Sequence, residues 1–461
     1  IPQLILLRVL APFFIRSITR SLNRSMKNHL SLFALVLLSI FPQSMRANPT
    51  PADRVAEIQT ALRMAKLDGW LFYDFRGSDP LAPRILMLGD HASGSRRWFY
   101  YIPASGEPTK IVHSIERYKL DALPGKRLVY RGWQEQHSHL REILSSGAAG
   151  ASPASARSDR KSLRIAMQYS PMNDIPYMSR VDAGTIELIR SFNCEIVTSA
   201  ELVQQFEAVW TPAQKQSHIE ASDKTHRIIM EAFAEIARRI RADEPVTEYD
   251  IQQFIVRRWD EEGLIPEPGI VAVNANSANP HYAPTREVTL PIKRGDFVLI
   301  DIASKLKKPG AVFTDQTWTG YVGETVPEEF TRIFNIVREA RDSAVEFVRK
   351  NVRAGKFVRG AEIDDVARGV IQRAGYGEQF THRTGHSIGE EGHGNGVNID
   401  NFETRDSRRL IPGIAFSIEP GIYLEGKFGV RSEIDVYVAE KDVEVTGQPI
   451  QTAIVPILKA E

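Results

Sequence analysis

The residues best placed to do chemistry in this chain of 461 residues are two aspartates at strand ends. The apolar run Phe297-Val298-Leu299-Ile300 leads straight into Asp301, which sets a carboxylate at the end of an otherwise buried strand, and a charge there needs a partner. Asp315 lies in the β-prone run Phe313-Thr314-Asp315-Gln316-Thr317-Trp318-Thr319, where it can face Asp301 across a hairpin whose turn is supplied by residues 304–310. Two ionised carboxylates that close repel and raise one pKa, and a divalent cation between them removes the conflict. Alone, such a pair is more often solvated or salt-bridged than metal-bound, but three further segments strengthen it. His382-Arg383-Thr384-Gly385-His386 continues to His393 through a stretch rich in Gly and Ser; Ile414 to Ile418 is a second apolar run that delivers a carboxylate, Glu419, to a turn; and Arg431-Ser432-Glu433 opens the last strand-like segment with another.

Elements of both periods must position these groups. A helical pattern over 52–66 passes through Gly69 into the apolar run Trp70-Leu71-Phe72-Tyr73, and strand patterns follow over 98–102, 110–113, 127–130 and 164–168, with a helix over 184–190. This region reads as a small α/β domain carrying a Ser, Gly and Ala surface insertion over 145–158 that buries too little apolar area to order itself. A helix-forming stretch over 200–241, broken at Thr211-Pro212, bridges to the second half, and the boundary is set at 213/214. Thr247-x-x-Asp250 resembles a capping box ahead of a helix over 251–262. Strands over 297–302, 414–418 and 433–438 then alternate with helices over 330–351 and 363–374, which makes the second half another α/β unit, the one with the chemistry.

Composition narrows the partners. With 43% hydrophobic and 25% charged residues the chain is of ordinary globular make-up, and a net charge of +1 without basic clusters speaks against a nucleic-acid partner. The single Cys194 excludes an intrachain disulfide and thiolate-rich zinc sites, so a metal here must use His and carboxylates. The chain opens on Ile1, which reads as a fragment or a mis-set start. From Met26 a basic segment, an apolar run over 30–41 that is too short to span a bilayer and a small residue at Ala47 form a signal-peptide pattern over 26–47, so export (periplasmic or secreted) is the expectation, with an uncleaved membrane anchor or a cytoplasmic chain as alternatives.

The order Asp301, Asp315, His386, Glu419 in Glu-Pro-Gly and Glu433 in Arg-x-Glu resembles the pita-bread metallopeptidases: aminopeptidase P, prolidase, methionine aminopeptidase and the metal-free creatinase. The resemblance implies an N-terminal creatinase-like α/β domain over 48–213 and a pita-bread catalytic domain over 214–461. It implies that Asp301 chelates one metal, that Asp315 and Glu433 bridge two, and that His386 and Glu419 complete the second. Such an oxygen-rich donor set suits Mn2+, Co2+ or Zn2+, with Mn2+ the expected pair. Two ions about 3.5–4 Å apart would present a bridging hydroxide to a peptide carbonyl, with Glu419 also the general base. By the same resemblance His281, in Asn279-Pro280-His281-Tyr282, binds substrate or delivers a proton, His393 stabilises the tetrahedral intermediate, and His382 lines the substrate pocket. Arg431 orients Glu433 and the other ligands from behind.

The family pattern is broken at Trp318, where Arg usually follows the ligand-bearing Asp-x-Thr, at a lengthened Asp-to-Asp interval, and at Ile434. These changes place the uncertainty over substrate in a pocket around Trp318. Methionine aminopeptidase lacks the first domain, and creatinase would have little reason to keep five ligands. The expected activity is that of an Xaa-Pro aminopeptidase acting on peptides with proline at the second position, assembled as a homo-oligomer (dimer or tetramer). Prolidase is the alternative, and a non-catalytic binding protein on the same fold is a third reading.

Overall fold

The computed structural model of the chain describes residues 50–89, 94–146 and 162–459. The expected signal segment 26–47 and residues 147–158 of the expected insertion lie outside them. Residues from Pro51 onward form one compact unit, and no helix among the described residues is long and apolar enough to cross a membrane.

The first half comprises α1 (Pro51–Met64), β1 (Gly69–Asp74), α2 (Leu81–Ile85), β2 (Trp98–Pro103), β3 (Thr109–His113), β4 (Lys126–Tyr130), α3 (Trp133–Ser146), β5 (Leu163–Met167), α4 (Ala183–Arg190) and β6 (Cys194–Thr198). The strands form one mixed sheet in the order β4-β3-β2-β1-β5-β6. Strand β1 is buried on both faces, and its period of two sorts its side chains. Trp70 and Phe72 pack with Val55, Ile58 and Leu62 of α1, whereas Leu71 and Tyr73 pack with Leu140 of α3 and Ile186 and Ile189 of α4. The unbroken apolar run of β1 therefore follows from helices covering both sides.

After α5 (Ala200–Val203) the chain makes a π-helical turn, Gln204–Ala208, and enters α6 (Pro212–Arg241). The break expected at Thr211-Pro212 is a helix start: Thr211 caps Gln214 N, Gln214 returns the bond, and Pro212 occupies a first-turn position where its missing N–H is no loss. Helix α7 (Glu248–Glu261) begins in the same way at Thr247 and Asp250. Then come β7 (Ile270–Val273), β8 (Phe297–Ser304), β9 (Thr314–Tyr321), α8 (Glu328–Arg353), α9 (Gly360–Arg373), β10 (Ser387–Ile388), β11 (Ala415–Ile418), β12 (Gly421–Leu424), β13 (Phe428–Arg431), β14 (Ile434–Val438), β15 (Val443–Val445) and β16 (Val455–Pro456). Two four-stranded sheets result, β16-β9-β8-β7 and β10-β11-β14-β15, together with the hairpin β12-β13. Helices α6 and α7 cover the first through Ile228, Ile236, Ile255 and Trp259. Helices α8 and α9 pack through Phe334, Val337, Ile363 and Ile371 on a cluster that includes Phe416, Ile418 and Val436. The fold is thus mixed α/β, with helices outside and strand ends converging inside.

Candidate metal centre

Register brings the acidic residues together. In the antiparallel pair β8-β9, Asp301 lies opposite Thr317 and Asp315 opposite Ala303. The two aspartates therefore share a face but sit diagonally, and a threonine, not a carboxylate, is the direct neighbour of Asp301. In β11-β14, Ile418 pairs with Ile434, so Glu419 and Glu433 leave the paired ends side by side. His386 arrives just before β10, on a segment whose Gly385 approaches β11 so closely that a Cβ there would lie 2.0 Å from the Ser417 carbonyl oxygen. Only glycine fits that contact.

These elements enclose a cavity of about 330 Å³. Its lining contains every site residue expected from the sequence: His281, Asp301, Asp315, His382, His386, His393, Glu419, Arg431 and Glu433. Within it, one ligand atom from each of Asp315, His386 and Glu433 lies within 4.8 Å of the others. Nε2 of His386 is 3.6 Å from Asp315 and 3.4 Å from Glu419. Nδ1 of the same ring lies 3.1 Å from the Ser387 carbonyl oxygen, which can only accept, so Nδ1 carries a proton and Nε2 is the atom offered to the carboxylates.

The donor set fits divalent metal. Oε1 of Glu433 is buried with no hydrogen-bond partner, while its Oε2 accepts from the Thr317 hydroxyl at 2.7 Å. Burial raises the pKa of Asp301, Asp315 and Glu433, and mutual repulsion adds to the rise, that of Glu433 going well above the ordinary carboxylate range. Burial opposes charge on His386 too, but Asp315 and Glu419 outweigh it and raise its pKa. Cations would relieve each of these conflicts at once. Asp301 stands nearest a built-in cation, pairing tightly with Arg431. Arg431 also donates from Nε to Thr317 Oγ1 at 3.1 Å, so it reaches Glu433 through that hydroxyl, and from Nη1 to Tyr423 Oη at 3.1 Å.

The three other histidines differ in freedom. His281 stands exposed at the rim, where only its backbone N–H is bonded, to Asn279. His382 donates from Nδ1 to the Arg383 carbonyl and accepts at Nε2 from Tyr423, both at 2.7 Å, so neither nitrogen is left for a substrate. Burial, then repulsion from Arg431, pushes its pKa down to about 3. His393 is likewise held neutral, its pKa pushed down to about 3 by the neighbouring His386 and then by burial. Its Nδ1 accepts from Arg383 Nη2 at 3.4 Å, which leaves the proton on Nε2.

Trp318 is not part of this cavity. It is 8% exposed and packs in the cluster under α6, with its ring 4.9 Å from that of His226. Strand alternation explains the correction, because Asp315 and Thr317 face the site and the residue between or after them faces the helices. Residues that the sequence reading missed are Tyr177, Arg383, Glu403, Tyr423 and Asp435. Tyr177 and Glu403 line the cavity beside Arg383, accepting from its Nη1 at 2.7 Å and from its backbone N–H at 2.9 Å. Asp435 lies behind Asp315, accepting from its backbone N–H at 3.0 Å and from the Thr314 hydroxyl at 2.8 Å. Its position two residues after Glu433, on the same face of β14, was the available signal.

Residues 220–440 match metallopeptidase family M24. The chain is 36% identical over 173 residues to the Xaa-Pro dipeptidase of Lactobacillus helveticus, covering 38% of this chain and 42% of that protein. It is 34% identical over 239 residues to the probable dipeptidase PepE of Mycobacterium tuberculosis, covering 51% and 57%. The matches thus span about half the length of these curated relatives. Among solved structures, dipeptidase PepE from Mycobacterium ulcerans superposes with a TM-score of 0.59 at 23% identity, covering 89% of this chain and 100% of that one. An X-prolyl aminopeptidase from Caenorhabditis elegans, described as a cytosolic enzyme with a di-nuclear active site, gives 0.56 at 17% identity, covering 88% and 63%. At these identities the structures establish a shared fold.

Proposed function

We propose that the chain is a dinuclear-metal exopeptidase that hydrolyses the bond between a first residue and proline. The observation that carries the reading is the convergence of four carboxylates and His386 on one cavity, with Glu433 Oε1 buried and unpaired. Asp301, Asp315, His386, Glu419 and Glu433 would hold the metals, with Mn2+ the first choice for such a donor set. When bound, divalent cations supply Lewis acidity and lower the pKa of water. The chain supplies the rest. Ser417 Oγ donates to Glu419 Oε1 at 3.1 Å, which fixes the carboxylate and leaves Oε2 to take a proton from the attacking water. His393 presents Nε2–H to the carbonyl oxygen as charge develops there, and Arg431 balances the acidic cluster. His281, free at the rim, meets the substrate, whereas His382 acts through Tyr423.

Dipeptides become the leading substrates in place of the longer peptides of an aminopeptidase, because the named relatives at 34–36% identity are a dipeptidase and a probable dipeptidase. A panel of Xaa-Pro dipeptides, Xaa-Pro tripeptides and proline-free controls, with metal-stripped and Mn2+-loaded protein, tests this. Cleavage of dipeptides only supports the dipeptidase, and cleavage of tripeptides restores the aminopeptidase. No hydrolysis with any metal would leave a binding protein. Export through residues 26–47 and self-association belong to the same proposal, checked by N-terminal sequencing of the mature protein and by sedimentation.

A further inference from the structure

The segment that carries His393 has little means of holding itself. Gly389, Gly392, Gly394 and Gly396 punctuate it, and apart from short turns its conformation depends on outside partners. Some come from the catalytic half: Phe313 N donates to the Gly389 carbonyl at 2.8 Å, and Gln214 Nε2 to Glu390 at 3.1 Å. Gly394 N also donates to the Ser387 carbonyl at 2.7 Å and Arg408 Nη1 to the Asn395 carbonyl at 2.9 Å, whereas the side chains of Glu391 and Asn395, which bracket the histidine, are held from the first half of the chain. Arg84 of α2 places Nη1 2.8 Å from Glu391 and Nη2 2.5 Å from Glu207 of the π-helical turn. Glu207 Oε1 in turn accepts from Asn395 Nδ2 at 3.0 Å. Glu391 and Asn395 lie two residues to either side of His393, so one guanidinium and one carboxylate grip both flanks.

The Glu207 side chain is 6% exposed and burial pushes its pKa up to about 7, against which Arg84 and the bond from Asn395 favour the charged form. We propose that Arg84 and Glu207 form a clasp through which the N-terminal half positions His393 over the metal cavity. They are positioning residues: neither lines the cavity, and both act through the backbone of 391–395. The catalytic consequence rests on the function proposed above, but the clasp itself does not.

The test uses the full-length, Mn2+-loaded protein with Arg84→Met, Arg84→Lys, Glu207→Gln and His393→Ala, alone and with Arg84→Met. Amide hydrogen exchange over 389–396 reads the clasp without any substrate. Arg84→Met and Glu207→Gln should speed it by about tenfold or more, and Arg84→Lys by less. On an Xaa-Pro substrate Arg84→Met should lower kcat by about tenfold, with KM within about twofold and metal content unchanged. In the His393→Ala background the same substitution should change kcat by less than about twofold, because the two residues act as one unit. Unaltered exchange in both Arg84→Met and Glu207→Gln overturns the clasp, as does a full additional loss of kcat on top of His393→Ala. A wild-type protein that hydrolyses no peptide overturns the proposed function instead, while the exchange arm still decides the clasp.

Discussion

Thr317 shows how much of the site depends on a hydroxyl that is neither ligand nor acid nor base. It donates to Glu433 and accepts from Arg431, so one side chain couples a carboxylate to the cation that also pairs with Asp301. Thr317→Val keeps the shape and removes both bonds. Activity should fall by about 10–100-fold with weaker metal affinity, measured by metal titration and steady-state rates. Asp315→Ala is more severe, because it deletes a carboxylate from the group formed with His386 and Glu433. It should abolish turnover and reduce bound metal, and full activity in this variant would sink the site. His393→Ala should leave metal content unchanged and lower kcat by about 100-fold, the scale of one lost donor to a developing oxyanion.

At the scale of elements, the hairpin β8-β9 was legible because an apolar run ending in Asp followed by a β-prone run is what a buried strand pair requires. Its register was not, since sequence gives no measure of how many residues the turn consumes, and the diagonal placement of Asp301 and Asp315 follows from that count. Trp318 was misplaced for a different reason. Its difference from a family pattern drew attention to it, although alternation from Asp315 already turned it toward α6. Trp318→Ala should therefore cost about 3–5 kcal/mol of stability by opening a cavity under that helix, with KM unchanged. Denaturant unfolding and steady-state kinetics on one preparation separate the two effects. A KM shift without loss of stability would return Trp318 to the substrate pocket. The contact at Gly385 makes the companion case: Gly385→Ala meets the Ser417 backbone at 2.0 Å and should destabilise by about 1–3 kcal/mol or more while displacing His386. Circular dichroism melts and metal titration would show both losses in one variant.

Across the whole molecule, Tyr177, which lines the cavity, and Arg84 and Glu207, which touch the His393 segment, were invisible in the sequence because no local pattern reports contacts across 188 to 307 residues. The same convergence concentrates ionisable groups that disagree with their surroundings, which ties stability to pH and metal. Without metal, burial pushes Asp435 up to about 8 from 3.8, and Asp301, Asp315 and Glu433 are raised too. A carboxyl with a raised folded pKa binds a proton in the native state that the unfolded chain has released. Its stabilising contribution is therefore present below the unfolded value and is lost as pH rises, for Asp435 between about 4 and 8. The buried imidazoles have the opposite sign. His218, pushed down to about 4 by burial, and His382 and His393, pushed down to about 3, contribute stability above 6.5 that is lost as pH falls through those values. Metal-free protein should accordingly be most stable at mildly acidic pH and lose stability toward pH 8. Mn2+ competes with the protons on the acidic cluster, so its stabilisation should grow over the same interval, reaching about 2.7 kcal/mol where free metal is a hundred times its Kd. Melting curves at pH 5, 6, 7 and 8, with chelator and with saturating Mn2+, measure the difference directly. A metal-induced rise in Tm that shrinks as pH increases would mean that the cation does not occupy the cluster of Asp315, His386 and Glu433.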